Sequence, residues 1–317
     1  MAHDHPGPSA LGDGRDRSYL IRRMSPRKAA SAAMIAAALA FSFATARAGD
    51  EETASVVAAS SLSRIDSSRL RLSNAAFAGQ DNSGNDSVAG HFDYYVLALT
   101  WLPAFCEQHP DLAECSFATH SSDAFAARHL ILHGLWPNQS NDSQHGYGFC
   151  GVSPDIKSLD QSHQWCQMPN PGLSQAALSG LTAVMPGANP QSCLEWHEWY
   201  RHGSCSGYPP DEFFSRAGAL VKAVAQSSFG NFLAEHTGQT VALADLAKAF
   251  EADYGPGSAD DVGFQCSRQG DGKDILTEVN IGLARQLLDS EQLGKMLTPQ
   301  PHGNCPADVL LVPAPSR

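Results

Sequence analysis

Between two cysteines the chain reads Cys193-Leu194-Glu195-Trp196-His197-Glu198-Trp199-Tyr200-Arg201-His202-Gly203-Ser204-Cys205. Two histidines, two carboxylates, an arginine and three large aromatics are more than a solvated helix needs. If the run is helical, residues three and four apart share a face, so His197, Glu198, Arg201 and His202 gather on one side. Trp196, Trp199 and Tyr200 then fall on the other, as an aromatic anchor in the core, and Gly203 is placed to end the helix as a C-cap. Histidine titrates near neutrality and is the natural general acid or base. A further histidine, His133, stands in Arg128-His129-Leu130-Ile131-Leu132-His133-Gly134-Leu135-Trp136-Pro137-Asn138, which predicts a brief strand stopping at the Gly and Pro with His133 at its end.

Two histidines on opposite sides of a phosphorus or carbonyl centre can take a proton and deliver one in a single pass, and His133 and His202 are the candidate pair. RNA carries its own nucleophile in the 2′-hydroxyl. A nuclease that uses it needs a base, an acid, and charge to stabilise a crowded phosphorane-like state. One histidine would take the 2′-proton and the other would protonate the departing 5′-oxygen, with Arg201 and His197 on the phosphate. Glu198, one turn before His202, is placed to orient that histidine and raise its pKa. Trp136 offers a face on which a base can stack without strong sequence reading.

Other chemistries fit less well. A zinc protease helix needs H-E-x-x-H, and Arg201 stands where the second histidine belongs; His197 and His202 diverge on a helix, so no metal and no cofactor is expected. A secreted RNA-binding protein without turnover would have no need of His133, Glu198 and His202 together. His129, His145, His163 and His236 are read as structural or surface residues.

The elements that must position these groups lie downstream of a targeting segment. Residues 1–48 predict a signal peptide: Arg22, Arg23, Arg27 and Lys28, then an apolar run from Ala29 to Ala44, then Ala46-Arg47-Ala48 as the cleavage site. The formal charge is −12, and −16 once those residues are removed, so a general electrostatic affinity for nucleic acid or anionic membrane is excluded. Any polyanion site is local. The mature form is expected to be exported to a periplasm or the outside, monomeric and without a membrane attachment. All eight cysteines lie in the mature part, which suits up to four disulfides in an oxidising compartment. Asn85, Asn138 and Asn141 each open an N-x-S triplet.

Residues 49–90 read as a flexible low-complexity leader and 91–317 as the folded domain. Tyr94 to Trp101 predicts a strand covered on both faces, and Cys106 and Cys115 bracket a short loop with a local staple. Residues 138 to 172 read as loop. Helices are predicted over Leu173–Met185, Asp211–Gln226 and Val241–Ala252, the last with Thr240 as N-cap. Strands are predicted at Ile275–Ile281 and Val309–Val312. Strand, helices, strands in that order give an α+β domain: a sheet with helices packed around it, stapled by disulfides.

The His133-Gly134-Leu135-Trp136-Pro137 and His197-to-Cys205 stretches resemble the two active-site boxes of the T2 family of secreted ribonucleases, the second usually written H-E-W-x-K-H-G-T-C. Tyr94 to Cys106 and the cysteine-rich tail resemble its bacterial, periplasmic members, so the likeness spans about residues 91–317. It implies His202 as general base, His133 as general acid, Glu198 and Arg201 as transition-state stabilisers, His197 on the phosphate and Trp136 in a base site. It also implies an antiparallel sheet, metal-free cleavage of single-stranded RNA through a 2′,3′-cyclic phosphate to 3′-phosphate ends, low base specificity and an acidic optimum. Cys205 would pair with a cysteine between the boxes, and Cys266 with Cys305. Arg201 replaces the family's Lys, which keeps the charge and changes its geometry.

Overall fold

The computed structural model describes residues 87–118, 125–140 and 146–314. The expected signal peptide, the leader up to residue 86, Asn85 and Asn141 lie outside them. Residues 87–90 already pack on the domain: Gly90 N–H donates to Cys205 O (2.9 Å) and Gly148 N–H to Ser87 Oγ (3.1 Å).

The fold is α+β. Strand β1 (Tyr94–Thr100) has five consecutive buried residues with large side chains on both parities, as a strand covered on both faces requires. Helices α1 (Leu102–Gln108) and α2 (Ala113–Ala118) follow, and the Cys106–Cys115 disulfide joins them, so the expected staple links two short helices instead of closing a plain loop. Strand β2 (Ile131–Asn138) pairs antiparallel with β1 and runs straight through Gly134 and Pro137, where the sequence suggested a stop. It is an edge strand, so Pro137 removes no hydrogen bond that a second neighbour would need.

Helix α3 (Pro154–Gln161) lies inside the stretch read as loop. Ser153 caps it and Pro154 opens it, but Asp160 is its only buried residue, so no apolar stripe betrays it. Helix α4 (Gln175–Thr182) is capped by Ser174 and is shorter than expected. The central helix α5 (Leu194–Arg201) has Cys193 on one flank and Cys205 on the other. These bond to Cys166 and Cys150, so disulfides tie both ends of α5 to the segment that carries α3.

The long helix α6 (Pro210–Gln226) buries Phe213, Phe214, Ala217, Leu220, Val221 and Val224 against the sheet, as its stripe predicts. Helix α7 (Ser228–Glu235), capped by Ser227, was not anticipated. Strand β3 (Thr240–Ala242) takes Thr240, the expected N-cap, into the sheet, and helix α8 (Leu243–Tyr254) begins after Ala242 instead. Strands β4 (Val262–Arg268), β5 (Asp274–Ala284) and β6 (Asp308–Leu310) complete the sheet, with β4 also unanticipated. The sheet order is β2-β1-β5-β6-β3, with β4 paired to β5; all pairings between these strands are antiparallel except β5 with β6, which meet in parallel at Ile275 and Leu310. Cys266 and Cys305 are bonded.

Candidate active site

His133 owes its place to a β-bulge. Opposite β1, Gly134 faces Ala98 and Leu132 faces Leu99, so His133 is the extra residue with no cross-strand partner. A bulge re-aims the side chain it carries, and this one brings the imidazole to a carboxylate on β5: His133 Nδ1–H donates to Glu278 Oε2 at 2.7 Å. Glu278 is paired with Thr100 in the middle of the sheet, which holds its side chain in register.

Helix α5 packs differently from the sequence expectation. Its buried residues are Glu195 and Glu198, while Trp196, Trp199 and Tyr200 are only partly covered. Of the three, Trp199 packs on the core, edge-on to Phe213 at 6.0 Å, and Tyr200 donates to Pro169 O at 3.0 Å. The helix stops at Arg201, because His202 has φ −123° and ψ −55° and a 3₁₀ turn follows. Gly203 is therefore no left-handed cap. It is small by necessity, since a Cβ there would lie 2.5 Å from the Trp199 ring and 3.0 Å from Phe213.

Because the chain leaves the helix at His202, helical angles do not apply to it, and His197 and His202 converge where divergence was expected. Their rings meet edge to face at 6.0 Å. His197, Glu198 and His202 each offer a donor atom, all within 4.8 Å of one another.

Glu198 sits at the centre of the constellation with no exposed surface. Its Oε2 accepts from Trp136 Nε1 (2.9 Å); its Oε1 lies 3.9 Å from His133 Nε2 and 3.8 Å from His197 Nε2, and has no hydrogen-bond partner. Gly134 makes this approach possible, since a Cβ there would come within 2.0 Å of Glu198 Oε2. Burial pushes the Glu198 carboxyl above its ordinary range, against the pull of His197, His133 and the Trp136 hydrogen bond. One turn earlier, burial also raises Glu195, to about 7.

The two candidate proton-transfer histidines are driven in opposite directions. At His133, burial favours the neutral ring, but the Glu278 hydrogen bond and the charges of Glu198 and Glu278 outweigh it, and the pKa is raised. At His202, burial and the neighbouring His197, Arg201 and His133 all oppose a charge, and the pKa is pushed well below the ordinary histidine value. Glu198 was expected to raise it. It does not, because that carboxyl is itself buried and its free oxygen faces His133 and His197.

His197 donates through Nδ1 to Asp160 Oδ1 at 2.6 Å and stacks on Trp165 at 4.6 Å. Trp136 stacks on His202 at 5.2 Å. One ring face is thus covered by an imidazole, so Trp136 holds the site together as well as bordering it. Arg201 leaves the cluster: its guanidinium lies 4.7 Å over the Phe149 ring, near enough for its charge to weigh on His202.

Of the six residues singled out in the sequence, the structure brings His133, Trp136, His197, Glu198 and His202 together and sets Arg201 on the flank. Sequence reasoning missed Asp160, Trp165 and Glu278. For Glu278 the signal was a lone acid inside an apolar strand; for Asp160 there was none, because its helix was unrecognised.

The profile of the Ribonuclease T2 family matches residues 92–295. Ribonuclease I of Escherichia coli (strain K12) is 33% identical over 231 residues, covering 68% of this chain and 84% of that protein. Ribonuclease 1 of Arabidopsis thaliana is 23% identical over 240 residues, covering 70% of this chain and 87% of that one. Among solved structures, ribonuclease MC1 from the seeds of bitter gourd aligns with a TM-score of 0.45 at 21% identity, over 69% of this chain and 100% of that chain.

Proposed function

The chain belongs to the ribonuclease T2 family, and from that membership and the geometry of the cleft we propose that it is an endoribonuclease that cleaves single-stranded RNA by attack of the substrate's own 2′-hydroxyl. The observation that carries this reading is the opposed environments of the two histidines. Titratable groups pushed apart in pKa mark an acid and a base. His202, kept neutral by burial, takes the 2′-proton. His133, kept protonated by Glu278, gives a proton to the departing 5′-oxygen, and the product is a 2′,3′-cyclic phosphate that is then opened to a 3′-phosphate.

In this reading Glu198 and His197 face the phosphorane, with Asp160 fixing the His197 ring, and Arg201 adds charge from the flank. Trp136 contributes to a base site of low specificity. Glu278 and Asp160 are positioning residues that touch no substrate. Base needs a depressed pKa and acid a raised one, so activity extends below the ordinary histidine range on the acidic side and above it on the basic side. That supports function at acidic pH. The four disulfides suit export to an oxidising compartment, and we propose a monomer, periplasmic or extracellular. Among the described residues, no helix is long and apolar enough to cross a membrane.

The test is digestion of RNA with and without EDTA, with analysis of product ends. Cyclic-phosphate and 3′-phosphate ends, unchanged by EDTA, are expected, while DNA and 2′-O-methyl RNA resist. Cleavage of 2′-O-methyl RNA sinks the proposal. The cluster of His197, Glu198 and His202 favours one competitor, a metal-assisted hydrolase; stoichiometric zinc by elemental analysis with chelator-sensitive activity would establish it.

Glu278→Gln tests the acid. The substitution replaces a charge-assisted hydrogen bond by a neutral one, a difference of about 1–1.5 kcal/mol. The basic limb of the kcat/KM profile is expected to move to lower pH, with a loss of about tenfold at alkaline pH and little change at acidic pH. A loss of equal size at every pH would show a structural role instead.

A further inference from the structure

Arg201 stands outside the histidine cluster, and its surroundings differ from those of three other arginines of the domain. Arg216 is held by Glu212, Arg268 by Asp274 and Arg285 by the carbonyl of Gly90. Arg201 is half-buried, and among the described residues no carboxylate lies within ion-pair distance of its guanidinium and no acceptor is hydrogen-bonded to it. What holds it is a ring face, that of Phe149 at 4.7 Å. Stacking occupies the flat side of the fork and leaves its edge N–H groups, which match phosphate oxygens two at a time, unused. Phe149 is itself firmly set. It is 8% exposed with φ +55°, a backbone conformation that is costly for a bulky residue and persists only where the surroundings impose it. Here Phe149 N–H donates to Arg201 O at 2.9 Å, the next residue, Cys150, is bonded to Cys205, and the Tyr147 hydroxyl donates to Val88 O.

The side of the site on which this guanidinium sits decides what it meets. Its charge weighs on His202, whereas the charges that weigh on His133 are those of Glu198 and Glu278. With His202 taking the 2′-proton and His133 protonating the 5′-oxygen, RNA on the 5′ side of the cleaved bond runs past His202 and RNA on the 3′ side past His133. Resting on that reading, we propose that Arg201, seated on Phe149, binds the phosphate one nucleotide to the 5′ side of the scissile one and so forms a flanking phosphate subsite. The chain carries a formal charge of −12 and offers a polyanion no general attraction, so a local cation with unused donors is where a second phosphate is held. A phosphate contact sets register without reading a base, in keeping with low base specificity. Phe149 touches no substrate and is a positioning residue that acts through Arg201.

The test uses three chimeric substrates, each with one ribonucleotide and hence one cleavable bond: rC-dA, which has the scissile phosphate alone; dC-rC-dA, which adds the flanking phosphate; and the same trinucleotide with a neutral methylphosphonate at the flanking linkage. Wild-type kcat/KM is expected to be about tenfold higher on the charged trinucleotide than on the neutral one, the size of a charge-assisted hydrogen bond. The difference should lie in KM, because the contact is the same in ground and transition states, and the neutral trinucleotide should behave like rC-dA. Arg201→Gln is expected to bring the charged-to-neutral ratio close to one, Phe149→Leu to lower it, and Phe149→Tyr to keep most of it. Each ratio compares two substrates on one preparation of one variant, so a loss of folded protein cancels. A wild-type ratio near one, or a ratio that Arg201→Gln leaves unchanged while both rates fall together, overturns the flanking subsite and leaves the transphosphorylation reading intact. A full ratio in Phe149→Leu overturns the role of Phe149. Absence of cyclic product from all three substrates overturns both the subsite and the reading on which it rests.

Discussion

Replacing His202 with alanine is expected to lower kcat for RNA cleavage by about 10²–10⁴-fold, the usual worth of a positioned proton acceptor. The loss should fall on kcat with little change in KM, because the ring's task is to accept a proton in the transition state and not to hold substrate. His202 suits that task through its surroundings: Trp136 covers one face, its Nδ1 is sealed from water without a partner, and His197, Arg201 and His133 all oppose a charge on it. The neutral ring therefore persists into acid solution. Single-turnover cleavage of a short single-stranded RNA measures the effect. A loss below about tenfold would mean that another group takes the 2′-proton. A parallel His133→Ala measurement, read against a substrate with a good leaving group, separates acid from base, since only the acid becomes dispensable.

Glu198→Gln is expected to cost about 10²–10³-fold in kcat, the range found when one preorganised transition-state contact is lost. Glutamine keeps the size of the side chain and an oxygen for the Trp136 indole, so the substitution removes the titratable group and leaves the packing. Stability should move the other way. A fully buried carboxyl with one orphan oxygen is a cost to the fold, and glutamine relieves the charge, so thermal unfolding is expected at an unchanged or higher temperature. A lowered melting temperature with activity intact would make Glu198 a structural residue and remove the centre of the proposed site.

Glu198 also shows how the fold gathers its site. Gly134 leaves it room, Trp136 grips one oxygen, and His133 and His197 stand on either side of the other. These contacts join β2 to α5, and the disulfides at Cys193 and Cys205 hold α5 against the segment carrying Asp160 and Trp165. Arg201 is drawn to Phe149, the neighbour of Cys150, by the same staple. The exchange of lysine for arginine at this position accords with that: a guanidinium stacks on an aromatic face better than an ammonium does.

Much was legible from residue types and spacing alone. Each of the two boxes is a short contiguous run, so His133, Trp136, His197, Glu198 and His202 could be named from them, and the periodic stripe of α6 and the apolar run of β1 announced themselves. The α+β class followed from the order of those elements. Other features escaped for definite reasons. Helix α3 buries one residue and that residue is an aspartate, so no pattern marked it. Thr240 looked like a helix cap because its hydroxyl suits either role, and pairing with Leu310, far along the chain, decided for the strand.

The residue types of the proposed site, three histidines around a central carboxylate, were legible in the sequence itself, because those groups lie in two short runs. The proposed roles of His133 and His202 as acid and base, which the family resemblance implies, draw their physical support from the tertiary structure. A protonation state depends on burial and on charges within a few ångströms, and here those come from Glu278 on β5, Asp160 on α3 and the bulge that turns His133 toward the sheet. No local spacing encodes such contacts, since each joins residues far apart in the chain.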